Sequence, residues 1–71
     1  MTLQNLEKLS GEIKAHLHTL KTGTNARSAA MTRGNIYEKW NSMGNIFNRL
    51  AGGANGAKAA KIMDNTRKML R

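Results

Sequence analysis

The chain has no cysteine and no proline, a single tryptophan, tyrosine and phenylalanine, and only four acidic residues. Each shortage removes a class of solution. Without cysteine there is neither a disulfide framework nor a thiolate metal site, and the composition fits a reducing interior. Without proline, and without stretches that alternate β-branched and polar residues, helices are expected rather than a β-rich fold. No apolar run approaches the roughly 18 residues of a membrane span, and residues 1–20 lack the continuous apolar core of a secretion signal. The expected location is the cytoplasm, or a particle assembled in the cytoplasm.

Catalytic chemistry is poorly supplied. The two histidines, His16 and His18, stand two positions apart and point to nearly opposite sides of a helix. They do not form a chelating pair, which needs a spacing of four. Four scattered acids and three serines offer no histidine–carboxylate or cysteine–histidine constellation. The run Gly52-Gly53-Ala54-Asn55-Gly56-Ala57-Lys58-Ala59 falls short of a phosphate-binding loop: the glycine spacing is short, Ala57 separates Gly56 from Lys58, and Ala59 stands where a hydroxyl is needed. A non-enzyme with no catalytic residues, no cofactor and no metal is expected.

Positive charge is what the chain has in excess. Twelve Lys and Arg against four Asp and Glu give a net charge of +8 on 71 residues. Such a field favours polyanionic partners: nucleic acid, an acidic protein surface, or an anionic membrane. No acid occurs between Glu12 and Glu38, and none between Glu38 and Asp64. The candidate nucleic-acid or anion-binding residues are Arg27, Arg33, Lys58, Lys61, Arg67, Lys68 and Arg71. Cations held on rigid helices meet phosphates along a strand, and release of counterions then drives affinity without reading sequence. Base reading is not expected. Ala30 and Gly34 have the four-residue offset of a helix-turn-helix, but Asn35 follows the glycine and the flanking apolar positions do not align.

The apolar residues are organised around Ile36–Leu50, which holds all three aromatics. Ile36, Trp40, Met43, Phe47 and Leu50 recur at spacings of four and three, the period of one helix face. Adding Tyr37, Ile46 and Ala51 widens the apolar arc to about half the circumference, beyond the usual stripe of a little over 100°. Such a helix needs cover from more than one direction. Ile36, Tyr37, Trp40, Met43, Ile46, Phe47 and Leu50 are therefore core or oligomer interface, with Tyr37 at the edge. The opposite face is amide-rich, with Asn41, Asn45 and Asn48.

Two further amphipathic stretches are available as cover. Leu6, Leu9, Ile13, Leu17 and Leu20 make a narrow stripe, with Thr2 as N-cap and Gly23 as stop; its continuity across Ser10-Gly11 favours one unbroken helix. Ile62, Met63, Met69 and Leu70, with Ala59 and Thr66, form one arc of a last, basic helix that Asn55 caps. Between the first stripe and the hub, Thr24 or Asn25 can cap a short helix from Ala26 to Met31, which continued without a break would run out of phase with the hub. Arg33 would fall within the apolar arc and Met31 outside it, so Gly34-Asn35 is expected to bend the chain and Asn35 to cap the hub.

The expected fold is all-α, a small three-helix bundle with helices at about 3–21, 35–51 and 56–70 and a short extra helix or irregular linker at 22–34, forming a single helical domain over residues 1–71. A chain of this size buries only about 60% of its unfolded surface, which keeps a homo-oligomer open. The expected function is non-enzymatic association with nucleic acid through phosphate-backbone contacts. The alternative is a structural or assembly protein such as a small virion-type subunit, or an inhibitory protein docking on an acidic protein partner. A membrane-surface role of the basic last helix ranks third.

Overall fold

The computed structural model describes residues 2–70. Three helices account for the architecture: α1 (Leu3–Thr22), α2 (Ala26–Leu50) and α3 (Gly56–Met69), each packed on the other two. The overall extents of 43 × 18 × 16 Å describe an elongated bundle. The fold is the all-α three-helix bundle that the stripes imply, and no strand occurs among the described residues.

The seams repeat every seven residues. On α1 they pass through Leu6, Ile13 and Leu20, on α2 through Ala29, Ile36, Met43 and Leu50, and on α3 through Ala59 and Thr66. A seven-residue period keeps one stripe facing its neighbours when helices run side by side, knobs into holes. Leu6, Ile13, Met43, Ala59 and Thr66 have no exposed surface at all.

The caps follow local chemistry. Thr2 Oγ1 accepts from the Asn5 amide at 3.3 Å, and Asn25 Oδ1 accepts from the Ser28 amide at 2.8 Å; each satisfies one of the donors that a helix start leaves unpaired. Gly23 closes α1 at φ +105°, the one positive φ among the described residues. Gly11 lies inside α1 in open space, so the helix continues through it.

Two expectations about boundaries are corrected. There is no separate helix or linker before the hub: residues 26–34 are the first turns of α2, Gly34-Asn35 does not bend the chain, and the N-cap is Asn25, not Asn35. The reason lies in what shares the seam. Ala29 is buried and Thr32 half-buried, seven residues before Ile36 and Lys39 respectively, so the early turns are in phase with the hub through small and polar residues. Arg33 and Met31 do fall where the phase puts them, and the helix leaves both in water.

The second correction concerns Gly52-Gly53 and Asn55. α2 ends through Ala51 in right-handed conformation, neither glycine takes a positive φ, and the Asn55 side chain makes no capping bond. The glycine this turn requires is Gly56. A Cβ there would stand 2.6 Å from the Ala51 carbonyl oxygen, so the backbone of α3 starts against the end of α2.

Candidate functional site

The charged surface is built on α2 and α3. Lys58, Lys61 and Lys68 are exposed and spaced three and seven apart on α3, along one outer stripe. At 1.5 Å of rise per residue this stripe is about 15 Å long. Arg67 lies about 100° around the helix from Lys68, on the side of Trp40 and Phe47. Asp64 Oδ1 lies 3.3 Å from Arg67 Nη2, and Asp64 Oδ2 lies 3.2 Å from Lys68 Nζ. The Lys68 hydrogen bond and charge, followed by Arg67, hold the Asp64 carboxyl below its ordinary range. Two of the four α3 cations therefore share one acid, while Lys58 and Lys61 form no ion pair among the described residues.

Arg27 and Arg33 are also exposed and unpaired among the described residues, but they lie on the first turns of α2, apart from Lys58 at the start of α3. Arg33 is seven residues before Trp40, and hence on the same stripe of α2 about 10 Å further along. Trp40 in turn lines a groove of about 250 Å³ with Phe47, Ala60, Met63, Asp64 and Arg67. The structure thus groups Lys58, Lys61, Arg67 and Lys68 on one helix, sets Arg33 along the α2 stripe that leads from that groove, and leaves Arg27 at the far end. Arg71 lies outside the described residues.

The hub residues divide by exposure. Ile36, Met43 and Ile46 are buried, and Trp40, Phe47 and Leu50 are half-buried against them. Tyr37 is 68% exposed, so one ring of the three stands in water. Asn41, Asn45 and Asn48 are exposed.

Two polar contacts fix how the helices stand. Lys39 Nζ on α2 lies 3.0 Å from Glu12 Oε2 on α1, and that hydrogen bond holds the Glu12 carboxyl below its ordinary range, helped by the charges of Lys39, Lys8 and His16. Ser10 Oγ lies 2.7 Å from the fully buried Thr66 Oγ1, which donates to the Ile62 carbonyl at 2.8 Å. With its one proton committed there, Thr66 accepts from Ser10. α1 and α3 are tied at this point.

The features that residue spacing missed are Lys14 and Lys21. With Leu17, His18, Leu20 and Met69 they line an open depression of about 540 Å³ where α3 ends against α1. Their seven-residue separation around Leu17 was a usable signal; the end of α3, which opens the depression, was not visible in that spacing. No three His, Asp or Glu side chains come together as a ligand set among the described residues, and no helix is long and apolar enough to cross a membrane. Compared with family models, curated proteins and solved structures, the chain matches none.

Proposed function

We propose that the protein is a non-enzymatic nucleic-acid-binding protein that holds the phosphate backbone on the outer face of α3. The observation that carries this reading is the stripe of Lys58, Lys61 and Lys68 with Arg67, four exposed cations on one rigid helix against a single acid. Phosphates arriving there take over the hydrogen bonds that Arg67 and Lys68 give to Asp64, and they meet Lys58 and Lys61 with no partner to displace. Arg33 extends the cationic track onto α2. The track offers charge at intervals with a single exposed amide, Asn65, among its lysines, so it suits backbone contact rather than sequence reading. Tyr37, exposed four residues beyond Arg33, gives one ring on which an unpaired base can stack.

Fluorescence anisotropy with labelled duplex DNA, single-stranded DNA and RNA of scrambled sequence tests the reading. Affinity falls with log salt at a slope of about −0.9 per duplex phosphate neutralised, and Lys58→Ala with Lys61→Ala reduces that slope by about two contacts. Absence of binding to all three probes at low salt overturns it.

A structural or self-assembling role draws less support. Among the described residues the two exposed large hydrophobics, Tyr37 and Met31, are six residues apart and point about 120° apart on α2. They do not form one apolar patch for a second subunit.

A further inference from the structure

α1 and α2 run on beyond the end of α3. At 1.5 Å per residue α2 is about 37 Å long, α1 about 30 Å and α3 about 21 Å. α3 pairs with α1 at Ser10 and reaches only as far as the neighbourhood of Leu17, where Met69 lines the depression. Past that point, among the described residues, a depression lies along α1. The α1 stripe that faces α3 continues into it, Leu17 following Ser10 by seven residues. Leu17, Leu20 and Met69 are half-buried there, giving the depression an apolar floor. Lys14, Lys21 and His18 rim it, and among the described residues no carboxylate lines it.

We propose that this depression docks an acidic amphipathic helix of a partner protein, which lies along the α1 stripe of Leu17 and Leu20. This goes beyond the phosphate reading of the outer α3 face, uses different residues on α1, and does not depend on it. The floor demands apolar side chains at three- and four-residue spacing. The rim demands carboxylates: Lys14 and Lys21 stand about 10 Å apart along α1, matching acids two turns apart on the guest. Charge complementarity selects among occupants. A second copy would set a +8 chain against a +8 chain. A bilayer needs a projecting apolar face, whereas this one is recessed between Lys14 and Lys21.

The test uses the isotope-labelled full chain and two stapled helical peptides of about three turns, since short free helices are marginal in water. Both carry a leucine stripe; one has glutamate on its flanks and the other lysine. The expected result is saturable binding of the acidic peptide on the order of tenfold tighter than the basic one, with amide shifts centred on Lys14–Lys21 and Met69. Lys14→Glu with Lys21→Glu, both exposed and compatible with an intact fold by circular dichroism, loses that binding. Lys8→Glu with Arg49→Glu, exposed away from the depression and carrying the same charge change, retains most of it. The proposal is overturned if the acidic peptide does not bind, if both peptides bind alike, or if the shifts fall on the outer face of α3. It is equally overturned if the two double variants lose affinity to the same extent, or if duplex DNA, anionic phosphatidylserine vesicles or self-association of the chain produces the Lys14–Lys21 shifts without the peptide.

Discussion

The bundle has two unlike halves made from one repeat. In the lower half, where α3 accompanies α1 and α2, the seam positions Leu6, Ile13, Met43, Ala59 and Thr66 are wholly buried. In the upper half the same seven-residue stripes continue on two helices, and burial falls away: Ala29 keeps 8% exposure, Leu17 and Leu20 are half-buried, and Thr32 replaces a large hydrophobe. The stripes themselves are continuous across both halves. Burial follows the described length of α3, Gly56–Met69, and beyond it cations and an apolar floor share a surface.

The largest effect expected from that contrast is on packing. Met43→Ala in the closed half removes a fully buried side chain and should cost about 2–5 kcal/mol, whereas Leu17→Ala in the open half, already half in water, should cost well under that range. Urea denaturation of both variants measures the difference; equal losses would mean that the two halves are not distinct. The turn into α3 gives the next effect. Gly56→Ala forces a Cβ against the Ala51 carbonyl oxygen at 2.6 Å, and a shift of backbone there should cost about 1–3 kcal/mol. Gly11→Ala, in open space inside α1, should instead stabilise by about 0.5–1 kcal/mol. Opposite shifts in melting temperature for the two glycine variants are the expected readout.

A smaller effect isolates the tie between α1 and α3. Thr66→Val keeps the shape but removes the hydroxyl that Ser10 meets at 2.7 Å, leaving Ser10 to turn back to solvent from a half-buried position. The expected loss is about 1–2 kcal/mol. The double variant with Ser10→Ala should be less than additive, because the two hydroxyls share one bond. Full additivity would show that Thr66 acts only through its bond to Ile62.

Most of the closed half was legible in the sequence because large apolar residues mark it: the leucine stripe of α1, the Ile36–Leu50 arc and the Ile62–Leu70 arc all appear as helices. The open half was legible only in part. Ala29 and Thr32 continue the α2 seam but contribute little hydrophobicity, so the visible phase of this stretch is that of Arg33 and Met31, side chains that are exposed. Gly34, exposed and in open space, costs a helix interior only about 1 kcal/mol, which packing of Ala29 and Ile36 offsets. Of the candidate site, the positions of Lys58, Lys61 and Lys68 followed from periodicity, and their exposure is seen in the structure. The sharing of Asp64 by Arg67 and Lys68 was implicit in their three- and four-residue spacing. The depression at Lys14 and Lys21 was not legible, since it depends on where a neighbouring helix stops.

The smallest expected effect is acidic and concerns the boundary between the halves, where Lys39 of α2 meets Glu12 of α1. Glu12 has its carboxyl pKa lowered by the Lys39 hydrogen bond first and by the charges of Lys39, Lys8 and His16. A group whose folded pKa lies below its unfolded value stabilises the fold when ionised. That contribution is complete above the unfolded value, ordinarily 4.5 for this group, and is lost as pH falls through the lowered folded pKa. The melting temperature should therefore hold near neutrality and decline as pH drops below about 4.5. Asp64 adds a parallel decline from a slightly lower starting point, its ordinary value being 3.8. Because both carboxylates are solvent-accessible, raised salt should flatten the decline. Glu12→Gln should lower stability slightly at pH 7 and remove its share of the acid slope, leaving that of Asp64. If the variant and the parent keep the same slope between pH 6 and pH 3, the Lys39–Glu12 contact does not hold α2 to α1 in solution.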